Sequence, residues 1–263
     1  MRKILLLFLF SVALGSINAQ ERLFFEEKPY ERVTTDNQGV VFLFMDASLD
    51  TYTPEGKLLR NFSNPTWGDI TSVDAGITSK ILVFYRGNGT ILLLNNELAP
   101  IGNPLQLFDN FMMTFSLAAM GNPNKIVLWD ENNQYLLITD LSLKPINWTH
   151  VASPGEFQPT DMQVVPEHRI ALLDTLRGIW LLDFYGTFER EIPIPGITAM
   201  QLMKDRVIYL KDNTLYKYNF PTAYSPMSIE ALDINLPKIK QFQIFQNTLY
   251  YIDTDNIPYK IKF

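Results

Sequence analysis

Short apolar runs alternate with polar turns along almost the whole chain. The first is Val40-Val41-Phe42-Leu43-Phe44-Met45-Asp46. Ile81–Arg86 is joined through Gly87-Asn88-Gly89 to Thr90–Leu94. Ile126–Asp130 pairs with Tyr135–Thr139, Ile170–Asp174 with Ile179–Asp183, and Val207–Leu210 with Thr214–Tyr218. The last pair is Leu249–Asp253 with Tyr259–Phe263. Runs this short, rich in Val, Ile, Leu and aromatics and apolar on both faces, predict strands buried between stacked sheets. Gly, Asn and Asp between them supply the turns.

The runs recur at a fixed spacing. Val40, Ile81, Ile126, Ile170, Val207 and Leu249 mark one register, with steps of 41, 45, 44, 37 and 42 residues. A period near 40–50 residues with several strands in each repeat is the signature of a propeller blade. A further strand precedes each hairpin, in Ile70–Asp74, Phe115–Ala119, Pro159–Gln163, Ile197–Gln201 and Ile239–Gln243. These are the expected innermost strands. An outer strand follows, for example Lys57–Asn61 and Pro104–Phe108. The prediction is one all-β domain over residues 20–263, a six-bladed β-propeller of four-stranded antiparallel blades with very little helix. The chain ends on the third strand of the sixth blade. Arg22–Glu26 is expected to supply that blade's outer strand, closing the ring and removing two open edges.

Two turns carry a family likeness. Tyr52-Thr53-Pro54-Glu55-Gly56-Lys57-Leu58 and Asp183-Phe184-Tyr185-Gly186-Thr187-Phe188 resemble the turns of NHL- and YWTD-like six-bladed propellers. The likeness is architectural and carries no functional residues with it. The fifth repeat departs from it, with Pro221 and Pro226 where the others have a Gly turn.

The N-terminus reads differently. Arg2 and Lys3 precede an apolar run, Ile4–Leu14, and Ala19 offers a cleavage point before Gln20. This is the pattern of a secretory signal peptide over residues 1–19. The run is shorter than the roughly 20 residues of a spanning helix, and no later stretch approaches that length. The expectation is an exported protein, periplasmic or envelope-associated, with no transmembrane segment after cleavage. The terminal Tyr259, Ile261 and Phe263, alternating with lysines, also suit the last strand of an outer-membrane barrel. Spanning strands need about 9–11 residues with one lipid-facing side, which these hairpins lack.

Composition narrows the chemistry. The 263 residues contain no Cys and two His, which excludes disulfides, thiolate sites and a Cys nucleophile. The formal charge of −6, and the loss of two positive charges with the signal, argue against nucleic-acid binding. No nucleophile elbow, phosphate loop or paired-His motif occurs, so no catalytic residue, metal ligand or cofactor is expected. His150 and His168 have no ligand partner at a suitable spacing. Asp46, Asp130, Asp174 and Asp253 recur after strands and are read as turn residues. Asp253-Thr254-Asp255-Asn256 lacks the later Gly and Glu of a calcium loop. Trp129 and Trp180 lie within apolar runs and read as core.

The ligand-binding candidates are Asp74, Gln163, Gln201 and Gln243, one position of the innermost strands, which would form a polar ring at the axis. The partner-binding candidates are Trp67, Tyr224 and Met227, on irregular connections with large apolar side chains. The expected function is a non-enzymatic interaction scaffold that presents loops to a protein partner in the envelope. The alternatives are a sugar-active or other hydrolytic propeller, and a small-ligand sensor that uses the channel.

Overall fold

A computed structural model describes residues 20–22, 28–151, 157–222, 225–232, 234 and 236–263. The chain opens with β1 (Gln20–Arg22). Blade 1 is β2 (Arg32–Thr35), β3 (Val41–Met45), β4 (Ser48–Tyr52) and β5 (Leu58–Ser63). Blade 2 is β6 (Ser72–Asp74), β7 (Ile81–Tyr85), β8 (Thr90–Leu94) and β9 (Leu105–Gln106). Blade 3 is β10 (Phe115–Asn122), β11 (Lys125–Asp130), β12 (Tyr135–Asp140) and β13 (Pro145–His150). Blade 4 is β14 (Asp161–Val165), β15 (Arg169–Asp174), β16 (Gly178–Asp183) and β17 (Phe188–Ile192). Blade 5 is β18 (Ile197–Leu202), β19 (Arg206–Lys211), β20 (Thr214–Asn219) and β21 (Ser228–Ala231). Blade 6 is β22 (Ile239–Phe245), β23 (Thr248–Asp253) and β24 (Pro258–Lys262), completed by β1.

The result is six separate four-stranded antiparallel sheets, a six-bladed β-propeller. The separation of the sheets excludes one closed barrel, so Tyr259–Phe263 ends a blade. No described helix is long and apolar enough to cross a membrane. The expected signal over residues 1–19 lies outside the described residues.

Burial follows position in the blade. All five residues of β7 and all five of β8 are buried, because neighbouring blades cover both faces. The outer strands β5 and β13 face water at the rim and carry no buried residue. The core is therefore a set of wedges between adjacent blades. Trp129 and Trp180 fill the wedge between blades 3 and 4, with Phe157 stacked on Trp180 at 4.0 Å. Six such wedges bury nearly every apolar run that marks the repeat.

The turn aspartates act on backbone amides. Asp253 accepts from the N–H groups of Asp255 and Ile257 at 2.9 and 2.8 Å. Asp140 and Asp183 repeat that geometry, and Asn95 does so with its amide oxygen. Asp130 accepts from Asn132 and Asn133, and Asp174 from Leu176 and Gln158. Asp46 works differently, by taking a left-handed φ of 51° in the turn.

Three details depart from expectation. The closing strand begins at Gln20, ahead of the expected Arg22, and is described over Gln20–Arg22. It pairs Gln20 with Ile261 and Arg22 with Tyr259, and 23–27 lie outside the described residues. The free edge of β24 fixes this register, since the chain must reach Tyr30, whose N–H donates to the Asn256 carbonyl at 2.9 Å. The outer strand of blade 2 is only Leu105–Gln106. A helical turn, Leu107–Asn110, replaces the rest, held by the Phe111 N–H on the Leu107 carbonyl. Blade 1 has an inner strand, Arg32–Thr35, that no apolar run announces.

Candidate functional site

The first strand of each blade lines the central axis. Register places Thr35, Asp74, Ala119, Gln163, Gln201 and Gln243 at one level of this ring. Side chains alternate along a strand, so this set faces one neighbouring blade and the residues between face the other. Gln163 reaches blade 5, where Nε2 donates to the Met200 carbonyl at 2.7 Å and Oε1 accepts from the Leu202 N–H at 2.8 Å. Gln201 reaches blade 6, donating to the Ile244 carbonyl at 2.8 Å and accepting from its N–H at 2.7 Å. Asp74 reaches blade 3, accepting from the Met120 N–H at 2.9 Å, and also binds the Gly76 N–H at 2.9 Å. Three of the four ring candidates therefore staple one blade to the next. Ala119 has no group to do so, and among the described residues Gln243 makes no such bond.

Two positions earlier on the same strands stand Val33, Ser72, Leu117, Asp161, Ala199 and Gln241. The polar members come from alternate blades 2, 4 and 6. They line a channel cavity of about 180 Å³ together with Arg32, Asp74, Gln163, Gln201 and Gln243. Arg32 is exposed, while Asp74 and Asp161 are half-buried.

Burial pushes the Asp74 carboxyl up from its ordinary range, and the Asp161 charge adds to the push. The amide bonds to Asp74 oppose it only in part. Burial likewise raises Asp161, against the lowering effect of Arg32 and of the Gln163 amide, which donates to Asp161 at 3.2 Å. Sequence reading did not select Arg32 or Asp161. Arg32 lies on the unannounced strand of blade 1. Asp161 could have been found from the two-residue period, because it precedes Gln163 on the same strand face.

The loop candidates occupy unlike places. Trp67 ends a short 3-10 turn, Pro65–Trp67, and packs edge-on to Tyr85 with ring centroids 5.5 Å apart. It is partly buried against the wedge between blades 1 and 2. Tyr224 lies outside the described residues. Met227 is exposed, as is Ile229 on β21.

A larger apolar feature opens at the outer rim between blades 2 and 3. Phe111, Met112, Met113, Pro145 and Trp148 line a groove of about 760 Å³, with Lys144 on its wall. Met112 is fully exposed and Trp148 is 44% exposed. Trp148 is held edge-on to Tyr135 with centroids 5.8 Å apart. His150 also lies against Tyr135, and the His168 N–H closes a turn onto the Val165 carbonyl at 3.0 Å. Among the described residues no group of three or more His, Asp or Glu is arranged to hold a metal ion.

The fold has solved counterparts. The chain is similar to the WD40 domain of Neurospora crassa Pan2, with a TM-score of 0.68 and 10% identity, over 94% of this chain and 96% of that one. It is also similar to the Myceliophteria thermophila Cps50 (Swd1) propeller, with a TM-score of 0.60 and 10% identity, over 90% of this chain and 96% of that one. BBS1N, solved in complex with ARL6DN, gives a TM-score of 0.57 and 16% identity, over 89% of this chain and 77% of that one. At these identities the likeness is one of fold, and it defines the class as a WD40-like six-bladed propeller. No protein-family model and no curated protein matches the sequence.

Proposed function

We propose that this propeller is an exported interaction scaffold of the cell envelope that docks a protein partner on the rim groove between blades 2 and 3. One observation carries the reading. Met112 and Trp148 stand exposed around an apolar concavity on a ring whose other large side chains are mostly spent in the wedges. An apolar patch with an aromatic anchor and a polar rim is the usual form of a binding hot spot. Lys144 on the groove wall favours a partner segment with an acidic residue beside its apolar anchor. The basic start and apolar run of residues 1–19 support export. A propeller of the same fold, BBS1N, is solved with a protein partner.

The test is a crosslinked pull-down of tagged protein from its native cells, with identification by mass spectrometry. The expected result is a stoichiometric partner in the envelope fraction that Met112→Glu and Trp148→Ala both lose. Retention of that partner by both variants, at wild-type melting temperature, would sink the groove as the docking site.

A further inference from the structure

The channel mouth holds three formal charges that the fold leaves without a direct ion pair. Among the described residues, Arg32, Asp74 and Asp161 take part in no ion pair. The Arg32 side chain makes no hydrogen bond among the described residues, and Asp161 accepts from the Gln163 amide at 3.2 Å and from the Met162 N–H. Carboxylates drawn out of water without a counter-charge destabilise a fold. The ring does not need Asp161 as a carboxylate there. At the level of Asp161, Ser72 and Gln241 fill equivalent places as neutral polar residues, and Val33, Leu117 and Ala199 fill the rest.

The arrangement has a direction. Arg32 belongs to blade 1 and Asp161 to blade 4, which stand opposite each other in a ring of six. Asp74 belongs to blade 2. Arg32 and Asp161 thus belong to opposite sides of one cavity of about 180 Å³, which Asp74 lines from the blade next to that of Arg32. At roughly 30 Å³ per water, that volume suits a ligand of about six to ten heavy atoms. The Gln243 amide, unspent on any staple, also lines the cavity.

We propose that this mouth binds a small zwitterion, with its ammonium between Asp74 and Asp161 and its carboxylate on Arg32. An ammonium brings three donors to carboxylates that have lone pairs to accept them. A guanidinium matches a carboxylate with two parallel N–H bonds. A simple cation would leave Arg32 without a role, and a simple anion would leave the two aspartates repelling each other.

The experiment is calorimetric titration of the purified protein at neutral pH and low salt. The probes are β-alanine, L-serine and 4-aminobutanoate, with propylamine and propanoate as singly charged comparators. At least one zwitterion is expected to bind once per chain, about tenfold tighter than either comparator. Asp161→Asn and Arg32→Gln should each weaken it about tenfold or more while the melting transition is retained. Absence of binding by all three zwitterions up to about 10 mM overturns the proposal. So does equal binding of propylamine, or binding indifferent to both substitutions. Met112→Glu should leave the titration unchanged, so failure of the channel site and failure of the rim groove are read separately.

Discussion

The side-chain amide of Gln201 clamps the backbone of Ile244 in the next blade, donating to its carbonyl at 2.8 Å and accepting from its N–H at 2.7 Å. Gln201 is buried, so neither backbone group can turn to water when the clamp is removed. Gln201→Ala is expected to lower stability by about 2–3 kcal/mol, because two buried polar groups lose their partners. Denaturant unfolding followed by tryptophan fluorescence measures this, and a loss below about 0.5 kcal/mol would show that the clamp does not hold the blades.

A second cluster ties the strap after β1 to blade 1. Asp50, on β4, accepts from Lys28 Nζ and Tyr30 Oη, each at 2.6 Å, and from the Asn61 amide. Burial alone would raise the Asp50 carboxyl, but these three bonds and the Lys28 charge outweigh it and hold the carboxyl below its ordinary range. A carboxyl lowered on folding contributes stability above its unfolded pKa of about 3.9, and that contribution is lost as pH falls through the folded value. Asp50→Asn should therefore cost stability at pH 7 and lose less than wild type on acidification. Tyr30→Phe should cost about 1–3 kcal/mol at pH 7. Parallel melts at pH 7 and pH 3 decide both points.

Asp161 has the opposite sign. Its carboxyl is raised on folding. The native state then favours the protonated form, and its ionisation penalty grows as pH rises from the unfolded pKa through the folded one. Asp161→Asn is expected to raise the melting temperature at pH 7, with the gain fading as pH falls through the folded pKa and gone below about pH 4. A variant less stable than wild type at pH 7 would place Asp161 among the structural residues.

Gly178 opens β16 at a φ of +116°, where a side chain is strained in any surroundings. An added Cβ would stand 2.1 Å from the Ile192 carbonyl oxygen of the neighbouring strand. Gly178→Ala should cost about 3 kcal/mol or more, or fail to fold. A circular dichroism melt of near wild-type midpoint would contradict this close approach.

The repeat was legible because the middle strands of each blade are covered on both faces. Ile81–Tyr85 and Thr90–Leu94 are apolar throughout for that reason and stand out from the turns. Inner strands border a wet channel and carry mixed residues, so Arg32–Thr35 had no apolar signature. The polar ring position was visible as Asp74, Gln163, Gln201 and Gln243 recurring in step. That three of them grip a neighbouring backbone was not visible, because the acceptors, such as Ile244, are peptide groups that any sequence offers. The charged mouth needed the ring itself, which brings Arg32 and Asp161 together from blades far apart in the chain. The rim groove escaped notice because Met112, on the connection into blade 3, and Trp148, on β13, meet only in the folded ring.

The pairing of Gln20 with Ile261 has a consequence for biosynthesis. The first residues to emerge from the ribosome among those described are the ones that complete the last sheet. Closure between β1 and β24 must therefore wait until β24 has been made, the pairing of widest sequence separation among the described strands. A product cut short before β24 has no edge for β1 to join and keeps an unfinished sheet open to aggregation or proteolysis. Ring closure thus works as a length check, by which only molecules that extend through β24 acquire the stability of the finished propeller.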